Sequence, residues 1–168
     1  MQPAVNIAVR AARRAGEIIV RSMNRLESLQ VTAKGRNDFA SEVDRAASKA
    51  YPRHAFLAEE SGRTGDSETV WIIDPLAGTT NYLHGFPTFA VSIACQHRGR
   101  LEHAVIYDPM SQELFTASRG DGARLENRRL RVSNRPGIEG ALVATGFPYR
   151  ANQEHADAYL AQLKAVMQ

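Results

Sequence analysis

A chain of 168 residues that is 43% hydrophobic holds enough apolar material for one domain with a sizeable core, or for one domain and the beginning of another. The single Cys95 excludes an internal disulfide and fits a reducing compartment, and its apolar neighbours Ile93 and Ala94 make it a buried small hydrophobe rather than a reactive thiol. No continuous apolar stretch at the N-terminus is long enough for a signal-peptide core or a membrane span, so a globular cytoplasmic protein without a membrane partner is expected. A formal charge of +3 and a pI near 9.3 describe a slightly basic protein whose cations are scattered, apart from Arg124, Arg128, Arg129 and Arg131. That cluster reads as a solvated hairpin or strand, with nucleic-acid or partner contact as the alternative.

In chain order, residues 4–27 place Ile7, Ala8, Ala11, Ala12, Ala15, Ile18, Ile19, Met23 and Leu26 three and four apart, the spacing of an amphipathic helix. Arg10, Arg13, Arg14, Glu17 and Arg21 fall largely on the other side, so one face packs and one is solvated. Residues 31–38 lose this period and read as a strand end and a loop, in which Lys34 is either solvated or closes over a site. Phe39 to Ala50 reads as a helix with Ser41 as N-cap and Asp44 in its first turn, stopped by Tyr51-Pro52.

The short apolar run Ala55 to Ala58 ends in Glu59-Glu60-Ser61-Gly62. Val70, Trp71, Ile72 and Ile73 are β-branched or aromatic and suit a buried strand, which Asp74-Pro75 is expected to end. A helix of one to two turns is expected to begin near Gly78. Thr88 to His97 and Leu101 to Tyr107 form a hairpin across Arg98-Gly99-Arg100, and Glu113 to Ser118 and a stretch around Leu130 to Val132 extend it into a β-meander. Gly120-x-Gly122 lacks the third glycine and the Lys-Ser/Thr pair of a phosphate loop and reads as a turn. Turn residues over 134–140 mark a boundary, which gives an N-terminal α+β domain at 1–140 and the beginning of a second at 141–168. In the second, Ala141 to Thr145 is expected as a strand and residues 153–167 as a helix presenting Tyr159, Leu160, Leu163 and Val166 on one face.

The chemistry converges on two places. Asp74 ends an apolar strand beside the free N–H groups of a helix start, which joins a carboxylate for a hard cation to donors for an anion. An Asp-Pro turn that merely caps a helix is the competing reading. If the 55–58 and 70–73 strands lie side by side, Glu59 and Asp74 emerge at one sheet edge, where paired carboxylates are unfavourable without a cation or proton between them. Zinc and nucleophile-elbow chemistry lack their motifs: there is no Cys pair, no His-x-x-x-His and no Gly-x-Ser-x-Gly.

Ala58-Glu59-Glu60-Ser61 followed by Trp71-Ile72-Ile73-Asp74-Pro75-Leu76-x-Gly78-Thr79-Thr80-Asn81 resembles the paired signature of the inositol monophosphatase family, most closely its bacterial, extragenic-suppressor-type branch. Lys34 with Asn37-Asp38-Phe39, Asp44, Phe89 to Ala94, Val105 to Met110 and Ala144 to Pro148 extend the resemblance over most of the chain. It implies an α+β fold, the layered αβαβα sandwich, of which this chain would form mainly the N-terminal antiparallel sheet covered by two helices. It also implies Mg²⁺-dependent, lithium-sensitive hydrolysis of inositol-1-phosphate or a similar small sugar monophosphate, by direct attack of water on phosphorus. Glu59, Asp74 and the carbonyl of Leu76 would hold the first Mg²⁺, and Glu59 and Thr79 would lie beside the attacking water. Asp44 would orient the Thr79 hydroxyl, the N–H groups of Gly78 and Thr79 would cradle the phosphate, and Lys34 would lie near metal and phosphate. A homodimer is expected from the apolar face of the 153–167 helix, and bacterial members of the family suggest a transcription-machinery partner in ribosomal RNA antitermination.

The sequence departs from the family pattern Asp-Pro-x-Asp-Gly-Thr at Ala77, where the second aspartate helps to hold a second metal ion. The later Trp-Asp motif has no counterpart before Gln168, and the intervals 44–51 and 60–70 are short. The expectations are therefore a working phosphomonoesterase completed by further residues, a binding or regulatory member of the family, or a partial copy.

Overall fold

The computed structural model of the chain describes residues 2–23, 47–58, 62–147 and 154–167. The expected loop at 31–38, most of the 39–50 helix, and Lys34, Asp44 and Glu59 lie outside the described residues. The chain forms two compact units, Met1–Arg131 and Val132–Gln168.

Among the described residues, the first unit is an eight-stranded sheet with one long helix packed on it. Helix α1 spans Pro3–Met23 and buries Val5, Ala8, Ala11, Ala12, Ala15, Gly16 and Ile19, close to the face expected from the apolar spacing, with Val5 and Gly16 added to it. The face is built of small residues, so the helix lies very near the sheet. A Cβ on Gly16 would fall 2.7 Å from Cε1 of Tyr107 on the neighbouring strand, a separation no side chain tolerates. Behind this face, Trp71, Ile73, Val91, Ile93 and Val105 form the centre of the core, each almost wholly buried.

The strands are β1 (Ala55–Ala58), β2 (Gly62–Thr64), β3 (Thr69–Ala77), β4 (Ala90–His97), β5 (Arg100–Asp108), β6 (Glu113–Ser118), β7 (Gly122–Leu125) and β8 (Arg128–Arg129), with a short helix α2 (Thr79–Leu83) between β3 and β4. Their spatial order is β2-β1-β3-β4-β5-β6-β7-β8. From β3 to β6 the sheet is the expected antiparallel meander; the stretch expected around Leu130 to Val132 is not a strand, and the sheet ends instead in the β7–β8 hairpin just before it. The β4–β5 turn uses left-handed backbone at Arg98 (φ 49°) and Gly99 (φ 77°), the combination that matches strand twist in a two-residue hairpin. The sheet is nevertheless mixed, because β1 pairs with β3 in parallel, from Ala55↔Val70 to Ala58↔Ile73.

The expectation that Asp74-Pro75 ends the strand needs correction, since β3 continues to Ala77. Asp74 pairs with Ser92 and Ala77 with Ala90, so β3 takes one residue more than β4 between these pairs and bulges. Proline lacks a ladder donor, and a bulge is one of the few places within a sheet that accommodates it. Beside Pro75, moreover, β1 pairs only as far as Ala58↔Ile73.

At the base of β3 the Trp71 indole N–H donates to Nδ1 of His54 (3.1 Å), and the Tyr51 ring stacks on His54 at 4.7 Å between centroids. Accepting at Nδ1 requires the neutral imidazole. Burial, then the charges of His97 and Arg53, hold the His54 pKa below its usual 6.5. The unfolded chain therefore takes up a proton more readily than the folded one. The stability due to neutral His54 is complete above pH 6.5 and declines as the pH falls through the lower folded value. Denaturation midpoints measured from pH 7.5 to 5 should fall at the acid end, and less steeply in His54→Asn; equal slopes would refute this role for His54.

In the second unit, helix α3 covers Ala156–Val166 and none of its residues is buried. The strand expected at Ala141–Thr145 is absent: residues 141–147 have no regular structure. They are held by local contacts, a hydrogen bond between the Thr145 and Tyr159 hydroxyls and the Phe147 ring set edge-on to Tyr159 at 5.5 Å. Isolated strands gain little without a partner, so the apolar sequence alone does not produce one.

Candidate metal and phosphate site

The Asp74–Thr79 segment closes on itself through short-range hydrogen bonds. Asp74 Oδ1 accepts the N–H of Leu76 at 3.1 Å, which directs the carboxylate along the turn. The Thr79 hydroxyl donates to the Leu76 carbonyl at 2.9 Å. Gly78 follows as the residue before α2, with φ 89° and ψ 33°. A side chain there would be strained by the backbone angle and would lie 2.9 Å from the Thr88 carbonyl oxygen, so glycine is required twice over.

Helix α2 is anchored from below and behind. Tyr82 is buried, donates its hydroxyl to the Ile19 carbonyl of α1 at 3.3 Å, and sets its ring perpendicular to Phe89. Asn81 donates its side-chain amide to the Thr88 carbonyl at 2.8 Å and accepts the Phe86 N–H on its backbone oxygen, also at 2.8 Å. The first intrahelical bond is Tyr82 N–H to Gly78 O, 3.1 Å, so the N–H groups of Thr79, Thr80 and Asn81 precede it and have no acceptor within the helix.

Asp74, Leu76, Gly78 and Thr79 are thus brought together in one turn. Glu59, Asp44 and Lys34 lie outside the described residues, so neither the two-carboxylate pairing nor an Asp44–Thr79 contact is placed. The strands leading to the acids are side by side and parallel: Ala58, which precedes Glu59 in the chain, pairs with Ile73, which precedes Asp74. Asp74 opens on a hollow of about 410 Å³ walled by Leu57 of β1 and by Ser92 and Ala94 of β4. Ser92, directly opposite Asp74 in the ladder, is a lining residue that the sequence reading passed over; its place opposite Asp74 depends on a register that emerges only from pairing.

For a cation, the described donors are the Asp74 carboxylate, whose Oδ2 has no hydrogen-bond partner among the described residues, and the Leu76 carbonyl, which has lone-pair capacity beyond the Thr79 hydroxyl. All are oxygen, the donor type of Mg²⁺, and Ala77 adds none. No group of three or more His, Cys, Asp or Glu side chains suited to a metal occurs among the described residues. The donor set therefore fits part of a hard-cation site.

A mixed sheet under helices, with an acid-bearing strand that turns through glycine into a short helix, defines an α+β fold of the sugar-phosphatase type. The profile of the Inositol monophosphatase family matches residues 1–167, and the chain belongs to that family. It is 54% identical over 180 aligned positions to the Nus factor SuhB of Pseudomonas aeruginosa, covering 99% of this chain and 66% of that protein. It is 47% identical over 170 positions to the Nus factor SuhB of Escherichia coli K12, covering 95% of this chain and 63% of that protein. The chain thus spans just under two thirds of these curated relatives. Since 180 aligned positions exceed the 168 residues here, the Pseudomonas protein also has residues inside the matched stretch that this chain lacks. Among solved structures, the extragenic suppressor protein suhB of Bartonella henselae superposes with a TM-score of 0.91 at 41% identity, over 99% of this chain and 67% of that one. Inositol monophosphatase from Anabaena gives 0.71 at 36% identity, over 79% and 50%. These likenesses place the chain in the bacterial, extragenic-suppressor-type branch.

Proposed function

We propose that this chain carries part of a Mg²⁺-dependent phosphomonoesterase site for inositol-1-phosphate or a similar small sugar monophosphate. The observation that supports the reading is the 74–79 turn, where a carboxylate oxygen, a backbone carbonyl, a threonine hydroxyl and helix N–H groups without an acceptor in the helix meet. Asp74 and Leu76, with Glu59, would hold the cation, which when bound supplies charge neutralisation and a more acidic water. The remaining work falls to the chain itself. Asp74 stays aimed because Leu76 N–H fixes one of its oxygens. The N–H groups at the start of α2 bind phosphoryl oxygens, and their orientation is already set by the Tyr82 and Asn81 anchors. The Thr79 hydroxyl, held by the Leu76 carbonyl, retains acceptor lone pairs for a water proton, and Asp44 and Lys34 would complete its surroundings.

A second reading is favoured by Ala77 and by the relatives named Nus factor SuhB. In it the chain is a binding or regulatory member acting with the transcription machinery in ribosomal RNA antitermination, and the metal site is residual.

Titration with Mn²⁺ followed by electron paramagnetic resonance separates the ligand claim from turnover. Asp74→Asn should weaken the first-bound ion about 10-fold or more and abolish Mg²⁺-dependent phosphate release. Unchanged Mn²⁺ affinity in a folded Asp74→Asn protein would remove Asp74 from the metal site. Metal binding without phosphate release in the parent protein would favour the regulatory reading.

A further inference from the structure

We propose that the hollow between the start of α1 and the β6–β7–β8 edge binds a phosphate group, free or as a monoester, at a site separate from the 74–79 turn. The hollow holds about 180 Å³, room for a small hydrated anion, and Thr116, Ser118, Asp121 and Arg124 are among its walls.

Its charge pattern is set by strand register. Thr116 of β6 pairs with Arg124 of β7, and Arg124 pairs with Arg129 of β8, so the three side chains share one sheet face in a single row. Like charges directly opposite one another destabilise a strand pair. Neither arginine has an ion pair or side-chain hydrogen bond among the described residues to offset this. Arg129 nonetheless stays against the hollow: a Cβ at Gly122, another lining residue, would lie 3.6 Å from its Nη2. Arginines on a sheet edge also discourage pairing with other chains, which accounts for charge at β8 but not for the next observation.

Thr116 is 7% exposed, and its hydroxyl has no hydrogen-bond partner among the described residues. A buried hydroxyl left unpaired is unfavourable, and this one belongs to a residue lining the hollow beside Arg124. The start of α1 contributes as well. Gln2 and Val5 line the hollow, and because Asn6 N–H bonds Gln2 O, the N–H groups of Ala4 and Val5 have no helical acceptor among the described residues.

The acids determine which anion fits. Glu126 is engaged, with Oε1 accepting the Leu114 N–H at 3.1 Å and meeting Arg13 Nη2 at 3.5 Å. Asp121 has no side-chain partner among the described residues and can accept a hydrogen bond only from an oxygen that carries a proton. Hydrogen phosphate and a protonated phosphate monoester offer that proton. Sulfate and an internal phosphodiester do not.

The test is calorimetric titration of the whole chain with inorganic phosphate in EDTA, on the Asp74→Asn protein, so that the metal-dependent site proposed above contributes nothing and its failure stays distinguishable. One phosphate per chain is expected, with sulfate at least tenfold weaker. Arg124→Ala, checked for folding by its melting curve, should lower phosphate affinity tenfold or more, and Thr116→Val severalfold. Asp121→Asn should erase the preference for phosphate over sulfate; Arg129→Ala serves if Arg124→Ala does not fold. Glucose-6-phosphate and an oligouridylate without terminal phosphates separate the sources: a monoester that competes with phosphate supports the site. Binding of the oligouridylate alone, equal binding of sulfate, no heat with millimolar phosphate, or affinity unchanged in a folded Arg124→Ala protein would each overturn it.

Discussion

Ala77→Asp is expected to raise Mg²⁺-dependent release of phosphate from inositol-1-phosphate by about 10- to 100-fold, because it restores a carboxylate where a second cation would meet the leaving oxygen. Losing even an outer partner of a metal commonly costs that much, so a direct ligand should return about 1.4 to 2.7 kcal/mol of transition-state stabilisation. The backbone admits the change. Ala77 is the last residue of β3, half-buried and paired with Ala90, and its conformation asks for no glycine. Since Gly78 precedes α2 as its cap, residue 77 lies one position too early to cap the helix, and no gain in helix stability is expected. Phosphate release measured across a Mg²⁺ titration, with Asp74→Asn as the inactive control, reads the effect directly. A folded Ala77→Asp protein no faster than its parent would mean that position 77 does not limit the chemistry, and the regulatory reading would then be the better one.

The second large effect is on stability. Trp71→Ala should cost about 3 to 5 kcal/mol, since Trp71 is 1% exposed in the core and its removal leaves a large cavity on the buried face of the sheet. Against a typical total of about 5 to 15 kcal/mol, that loss takes a large share. It also strips His54 of the indole donor and deprives the Tyr51–His54 stack of its neighbour. Trp71→Phe keeps most of the apolar volume and loses the hydrogen bond, worth about 0.5 to 1.5 kcal/mol, and so should fall well short of the alanine variant. Urea midpoints at constant slope decide the matter, and equal costs for the two variants would contradict the cavity argument.

Much of the candidate site was legible because its signals are local. An Asx bond from Asp74 to Leu76 spans two residues, the glycine at 78 follows from one backbone angle, and Thr79 reaches only three residues back. The proline at 75 was legible as a residue type but misleading as a stop signal. Whether proline ends a strand depends on the neighbour's register, and the extra residue that β3 accommodates against β4 cannot be seen from β3 alone. Local sequence likewise made Ala141–Thr145 look like a strand, while the structure supplies it with contacts to Tyr159 in place of a ladder.

By itself the sequence determined the amphipathic face of α1, the order and turns of the β4 to β6 meander, the buried Cys95, and the run from Trp71 to Asn81 that marks the family. Each depends on spacings of a few residues, where side-chain period and turn chemistry act without distant partners. Only the tertiary structure decided that β1 pairs in parallel with β3, that Ser92 faces Asp74, and that Tyr82 ties α2 to the carbonyl of Ile19. Those facts join residues far apart in the chain, and their register is chosen by the burial of whole faces at once, a collective free energy that no short stretch of sequence contains.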